Sequence, residues 1–271
     1  MKIFKSLLIF LMLTLLSQIG GFVFLVYEFV HPSFSKKIKT KTIRWFSTGA
    51  FFILLYCLTT LLIIPPIAKV FGRVPLPFLL EKNEFLKPAK LFYGFANRHY
   101  VKPELKEEIL KIAEAFCKNS KVEYLTYLDA NFPFIDGYPL HPHLSHDDGE
   151  KIDLSFIFED KHGNLLPASP SMLGYGYVAE AKKGETNKAA ECDKLNKYYS
   201  VLYKITSQNK AAAFNNSANR ELLKRICKSP LVKKVFIEPH LKTRLRLNSE
   251  SKVKFHGCQA VRHDDHIHIQ M

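Results

Sequence analysis

Apolar residues are distributed unevenly along this 271-residue chain, and the two longest apolar stretches lie near its start. The first covers residues 7–30 and contains a single acid near its end, and the second covers residues 46–68. Each stretch is long enough to cross a hydrocarbon core of about 30 Å as a helix. The pattern predicts a transmembrane hairpin over residues 1–72, followed by a more polar domain.

The link between the two stretches contains five basic residues and no acid: Lys36, Lys37, Lys39, Lys41 and Arg44. Short loops with this composition usually lie in the cytoplasm. We therefore expect the chain to sit in the cell membrane with the polar domain on the periplasmic or extracellular side. Lys2 and Lys5 before the first stretch, and Lys69 and Arg73 after the second, favour the opposite orientation.

The chain has a formal net charge of +14, which indicates an anionic surface nearby or simply a solvated basic exterior. The sequence contains no recognisable nucleic-acid-binding motif. We therefore expect no nucleic acid among the partners, and a membrane or cell-wall setting is favoured.

The five cysteines exclude a thiolate zinc finger, because no two of them form a C-x-x-C pair. Cys57 lies inside the second apolar stretch. The other four, Cys117, Cys192, Cys227 and Cys258, could form two disulfides or remain reduced, and the sequence does not choose between these states.

Beyond the apolar stretches, helical and strand patterns alternate without a βαβ rhythm, which predicts an α+β domain over residues 101–271. Residues 73–100 are rich in Pro, Lys and aromatic side chains and predict a linker that lies on the domain or on the membrane surface. Apolar spacing predicts helices over residues 101–118, 185–205 and 218–228, and strands over residues 153–158, 232–238 and 265–270.

Six of the eleven histidines fall in two clusters: His141, His143 and His146, then His263, His266 and His268. Successive side chains of a strand point to opposite faces, so His266 and His268 share one face while Ile267 and Ile269 share the other. Asp153 follows the first cluster at the start of another predicted strand. We expect the remaining histidines to be ordinary surface or core residues: His31, His99, His162, His240 and His256.

His146, Asp153 and His268 provide two imidazoles and one carboxylate, a ligand set that suits zinc (Zn²⁺) and leaves one position for water. A nearby base is still needed to accept a proton, and His266 is the candidate for this catalytic role. We expect His143 and His263 to be partners of the ligands, ligands of a further ion or substrate contacts.

These residues belong to two motifs, HLSHDDGEKID at residues 143–153 and HDDHIH at residues 263–268. The motifs fit the patterns H-x-S-H-x-x-G-x-x-[VI]-D and H-x-x-H-x-H, and VFIEP at residues 235–239 precedes the second. In these positions the chain resembles the penicillin-insensitive murein endopeptidase family. That family belongs to the zinc peptidase group that also contains lysostaphin-type enzymes, D-alanyl-D-alanine carboxypeptidases and the hedgehog domain.

The resemblance implies a small antiparallel sheet with flanking helices, zinc on His146, Asp153 and His268, and His266 as the catalytic histidine. It also implies hydrolysis of D-amino-acid-containing amide bonds in peptidoglycan cross-links, by endopeptidase or carboxypeptidase action. Arg262 and Tyr175 could help to stabilise the oxyanion. Two alternatives remain, namely a non-catalytic zinc-binding module of the cell envelope and a structural membrane protein without metal.

Overall fold

The computed structural model describes residues 2–35, 38–206 and 212–271, and it confirms an α+β architecture of helices and small sheets. The helices are α1 (Lys2–Ser17), α2 (Gly20–Ser35), α3 (Lys41–Leu58), α4 (Ile64–Val70), α5 (Leu91–Phe95), α6 (Pro103–Cys117), α7 (Lys188–Leu195), α8 (Val201–Ile205), α9 (Asn216–Lys228) and α10 (Pro239–Arg244). The strands are β1 (Val74–Pro75), β2 (Leu86–Pro88), β3 (Tyr100–Val101), β4 (Leu125–Tyr127), β5 (Lys151–Ser155), β6 (Phe158–Glu159), β7 (Leu165–Leu166), β8 (Ala213–Phe214), β9 (Lys234–Phe236), β10 (Val253–Lys254) and β11 (His266–Gln270).

The main sheet has six strands in the order β10-β9-β11-β5-β4-β2. The four inner strands, β9, β11, β5 and β4, pair antiparallel with one another, as the resemblance implies. The edge strands β10 and β2 pair in parallel with β9 and β4. Apolar side chains of α6 and α9 pack with one face of this sheet in a single core that includes Leu105, Ile109, Phe116, Leu222, Ile226, Ile152, Leu154, Ile267 and Ile269. The opposite face of β5 and β11 is therefore free for polar side chains.

The first apolar stretch does not form the predicted span over residues 7–30, because it is divided into α1 and α2. The chain turns at Gln18, which has a left-handed φ of 64°. Gly20 and Gly21 let α2 pack directly against α1, since a Cβ atom on Gly20 would lie 2.7 Å from the backbone oxygen of Leu13. The prediction was wrong at this point because the Gly-Gly pair allows close packing of two helices rather than continuation of one.

One continuous helix among the described residues, Lys41–Val70, is long and apolar enough to cross a membrane, and its most apolar 18 residues have a mean hydropathy of 2.3. It consists of α3, a π-helical segment over Thr59–Ile63, and α4. The widened segment precedes Pro65 and Pro66, which have no N–H to donate. The predicted two-helix hairpin is thus replaced by one candidate span beside a pair of shorter helices, and Lys36 and Lys37 lie outside the described residues.

Residues 73–100, predicted as a linker, contain β1, β2, α5 and the start of β3. Strand β2 extends the main sheet, with Leu86 fully buried opposite Leu125 of β4. The segment is therefore structurally continuous with the domain that follows it.

The helix predicted over residues 185–205 is interrupted, because α7 and α8 are separated by residues 196–200. Asn196 lies in an extended conformation, and its side chain donates to the carbonyl of Cys258. Cys258 also forms a disulfide with Cys192, whereas Cys117 and Cys227 are buried free thiols. The structure thus contains one of the two disulfides that four cysteines allow.

Candidate metal centre

Pairing of β5 with β11 brings the two sequence motifs together. His268 lies directly opposite Asp153, and His266 lies opposite Ser155. Because strand side chains alternate, Ile267 and Ile269 enter the core while the two histidines point to the other face with Asp153. The antiparallel pairing of β5 with β11 therefore brings together two motifs that are far apart in the sequence.

Three side-chain atoms meet at this position. His146 Nε2 lies 3.0 Å from His268 Nδ1 and 3.2 Å from Asp153 Oδ1, and His268 Nδ1 lies 2.9 Å from Asp153 Oδ1. All three side chains are buried. The predicted set of His146, Asp153 and His268 is thus assembled as a group that could hold a metal ion.

The hydrogen bond of His146 supports this assignment. Its Nδ1 lies 2.7 Å from the carbonyl oxygen of Ala130, which can only accept, so Nδ1 donates, and in the neutral imidazole Nε2 then carries a lone pair. A proton on His268 Nδ1 could be donated to His146 Nε2 or to Asp153 Oδ1, but not fully to both. Lone pairs on two of the three atoms would therefore still face each other. A cation among the three atoms would satisfy all of them, so these residues fit a metal ion.

His266 lies beside this group with its ring orientation fixed. Its Nδ1 donates to Asp265 Oδ1 at 2.5 Å, and Asp265 Oδ2 accepts from the backbone N–H of Gly176 at 2.6 Å. The buried Nε2 has no hydrogen-bond partner among the residues that the structure describes, and it lies 3.6 Å from Asp153 Oδ2. Burial alone would lower the pKa of His266, but the carboxylates of Asp153 and Asp265 raise it to about 9.

His143 is held in a similar way by a second carboxylate. Its Nδ1 donates to Asp129 Oδ2 at 2.8 Å, and Arg98 donates two hydrogen bonds to Asp129 at 2.6 and 2.8 Å. Burial would raise the pKa of Asp129, but the guanidinium of Arg98 holds it below its ordinary value. Together with Asp153 and His266, His143 forms a second group that could hold a cation.

His263 lies between the other histidines of its motif. Its ring centre is 4.8 Å from that of His266 and 5.7 Å from that of His268. Burial, together with the charges of these neighbours, holds the pKa of His263 well below its ordinary value. A neutral His263 could contact a substrate or a ligand without adding charge to the site.

The sequence assigned no residue to the oxyanion, and the two that could reach it, Tyr175 and Arg262, have other partners. Tyr175 donates its hydroxyl to Asp153 Oδ2 at 2.6 Å. Arg262 donates two hydrogen bonds to Asp264, both at 2.7 Å. Tyr175 is therefore placed to orient the carboxylate of Asp153, and Arg262 is part of a buried ion pair behind the site.

A cleft of about 660 Å³ opens over the group. One wall comes from the loop that carries the first motif, and the other comes from residues 196–201 and 256–261. Among the described residues that line it, none is Lys, Arg, Asp or Glu: His141, Pro142, His143, Leu144, Ser145, Asn196, Tyr198, Val201, His256, Gln259, Ala260, Val261, His263 and His268.

Several residues around the site could not be identified from the sequence pattern alone. Asp129 and Arg98 belong to no sequence motif. Their contacts with each other and with His143 join parts of the chain that are distant in sequence. Asp265 lies inside the second motif, and its position next to His266 was the available signal. His256, expected to be an ordinary histidine, lines the cleft with its ring centre 5.5 Å from that of His263.

No protein-family model matches this chain, and no curated protein is significantly similar to it.

Proposed function

We propose that this chain is a membrane-anchored zinc metallopeptidase that hydrolyses peptide cross-links of peptidoglycan. The observation that carries the proposal is the convergence of His146 Nε2, Asp153 Oδ1 and His268 Nδ1 beneath an open cleft, with His266 beside them. Two imidazoles and one carboxylate form a ligand set typical of catalytic zinc.

The spacing of the ligand atoms is compatible with zinc. Bonds of 2.0–2.2 Å in a tetrahedron place neighbouring ligand atoms about 3.3 Å apart. The observed separations of 2.9–3.2 Å are close to this value. When bound, zinc lowers the pKa of its water to about 7 and polarises the carbonyl to be attacked.

His266 provides the proton transfer that hydrolysis requires. Asp265 accepts a hydrogen bond from the Nδ1–H of His266. The other ring nitrogen, Nε2, therefore faces the site and can accept or donate a proton there. A cation bound to Asp153 would offset one of the two carboxylate charges that raise the pKa of His266, and the ring could then take a proton from the attacking water and give one to the leaving amine. Asp265 keeps the ring in this orientation through the cycle.

The cleft favours an internal amide bond as the substrate. A carboxypeptidase must recognise the terminal carboxylate of its substrate, and no Lys or Arg lies among the described cleft residues. The neutral, partly apolar walls suit a peptide segment that continues on both sides of the scissile bond. This supports endopeptidase action on cross-links.

Three features support placement of the domain outside the cytoplasm. The helix Lys41–Val70 can serve as a membrane anchor, and the net charge of +14 suits an anionic wall polymer. The Cys192–Cys258 disulfide suits an oxidising compartment such as the periplasm or the cell exterior.

The metal is tested on the full chain purified in detergent, by elemental analysis of the parent protein and of the His146→Ala/His268→Ala variant. We expect one zinc per parent chain and none in the variant. Folded parent protein without zinc would refute the proposal, and a non-catalytic zinc module would bind zinc but leave cross-linked muropeptides intact.

The reaction is tested with His266→Ala on cross-linked muropeptides. We expect retained zinc and a loss of hydrolysis of at least about 100-fold, the usual contribution of a positioned acid–base group. His162→Ala, at an exposed turn, is the matched histidine control and should keep full activity. Undiminished hydrolysis by His266→Ala would remove its catalytic role.

A further inference from the structure

A patch of large apolar side chains is exposed at the β2 edge of the main sheet. Leu79 is 42% exposed, Leu80 67%, Leu91 57% and Phe92 49%. They come from the turn before β2 and from α5 after it. We call these four residues the β2–α5 patch.

The β2–α5 patch lies beside the candidate membrane helix. The hydroxyl of Tyr56 in α3 donates to the carbonyl of Phe95 at the end of α5, at 2.7 Å. Leu80 lines a small cavity together with Leu61 and Pro65 of the long helix. The patch therefore lies alongside the stretch of the helix between Tyr56 and Pro65.

This stretch lies within the apolar length of the helix. No charged residue occurs between Trp45 and Ala68. At 1.5 Å per residue, about 20 residues from Trp45 cross a hydrocarbon core of about 30 Å, which then ends close to Ile64. Tyr56 and Leu61 would lie in the half of the bilayer nearer to the domain, and the patch beside them would meet lipid.

Basic residues lie beside the β2–α5 patch: Lys82 and Lys87 line one groove with Leu79 and Leu91, and Lys90 immediately precedes Leu91. Two acids are nearby, Glu81 and Glu84. Glu81 is paired with Lys106 at 2.5 Å, so Glu84 is the acid that remains to offset the charge of the three lysines. Exposed apolar side chains next to lysines are the usual composition of surfaces that bind at the boundary between headgroups and acyl chains. The lysines would contact anionic headgroups while the apolar side chains enter the acyl region.

We propose that the β2–α5 patch is a second membrane-binding surface, which inserts into the leaflet next to the domain and contacts anionic phospholipid through its lysines. The proposal rests on the proposed membrane anchor and is independent of the peptidase activity. It holds the domain against the bilayer and fixes the orientation of the cleft. The substrates would then be peptides close to the membrane surface.

The test uses the full chain in nanodiscs of phosphatidylethanolamine and phosphatidylglycerol. An environment-sensitive fluorophore is attached at Leu80→Cys or at Phe92→Cys. The control is Leu231→Cys, an exposed leucine next to β9, away from the β2 edge of the sheet. The parent chain with its own cysteines gives the background labelling.

Nitroxide-bearing phospholipid should quench the labels at positions 80 and 92 several-fold more than the label at position 231, and aqueous iodide should do the reverse. Equal quenching at the three positions, in chains that are incorporated into the discs, would overturn the patch proposal alone. Failure of the chain to enter the discs would overturn the anchor as well.

Discussion

At the scale of single residues, Asp265 determines which nitrogen of His266 is available for chemistry. Asp265→Asn can present its amide group to Nδ1 and so favour the wrong tautomer, while the metal ligands remain in place. We expect zinc content to be unchanged and kcat to fall by about tenfold or more, as for other partners of active-site histidines. KM should change little, and kinetics with cross-linked muropeptides measure both. A kcat equal to that of the parent would show that Asp265 does not position His266.

Glu238 is the residue from which we expect a pH-dependent stability. Burial and the charge of Asp264 raise its pKa to about 7 in the folded chain, from 4.5. Since the folded state disfavours the charged form, this group costs nothing below about pH 4.5 and up to about 3 kcal/mol above about pH 7. Glu238→Gln should therefore raise the unfolding midpoint at about pH 8 relative to the parent, and much less at about pH 5.

The control for this effect is Glu107→Gln, at an exposed position of α6, which should leave the pH dependence of the parent unchanged. Thermal unfolding of the full chain in detergent measures all three proteins. If Glu238→Gln and the parent lose stability in parallel as the pH rises, Glu238 is charged in the folded protein without penalty.

At the scale of secondary-structure elements, local patterns were predictable and contacts between distant segments were not. The alternation His-Ile-His-Ile predicted the strand β11 and its two faces. The spacing of apolar residues such as Leu105 and Ile109 predicted the helix α6. The reversal at Gln18 depends on how α2 packs against α1, and β2 is a strand only because β4 pairs with it. The candidate ligands His146, Asp153 and His268 were recognised from two motifs, whereas Asp129, which supports His143, belongs to no motif and was not.

The disulfide between Cys192 and Cys258 joins α7 to the loop before β11, and residues next to both cysteines line the same wall of the cleft. Its ends are 66 residues apart, and closing a loop of this length stabilises the folded state by about 4 kcal/mol in the chain-entropy model. Reductant should lower the unfolding midpoint of the parent and leave that of Cys192→Ala/Cys258→Ala unchanged. An equal effect of reductant on both proteins would show that this bond does not stabilise the fold.

At the scale of the whole molecule, the reversal at Gln18 changes the expected path of the chain. The tip between α1 and α2 contacts the domain, because Gln18 Oε1 accepts from the N–H of Phe134 at 3.0 Å and Tyr138 donates to the carbonyl of Thr14 at 2.9 Å. The start of α1 and the end of α2 then lie together at the far end. Each short helix is about 24 Å long, so the pair would cross a bilayer beside α3 only if the bilayer thinned there or the helix ends reached its interfaces.

This path also changes how the charges flanking the apolar stretches are distributed between the two ends of the helices. Lys5 now lies at the same end as Arg44, and both favour the cytoplasm. Arg73 lies at the domain end, but it is buried and bonded to Asp136 and to the carbonyl of Phe132, so it is not a free flanking charge. Lys69, which is exposed at the domain end, still favours the opposite orientation, whereas Lys5 and Arg44 support the proposed cytoplasmic N-terminus and external domain.

We test this orientation in intact cells with a membrane-impermeant maleimide, using Lys5→Cys in α1 and Lys161→Cys at an exposed turn of the domain. The two variants are a matched pair, because each replaces an exposed lysine, and the parent chain gives the background from its own thiols. Lys161→Cys should be labelled in intact cells, whereas Lys5→Cys should require permeabilisation. The reverse result would place the cleft in the cytoplasm. Peptidoglycan would then be out of reach, so the proposed substrate would fail even if the metal site were intact.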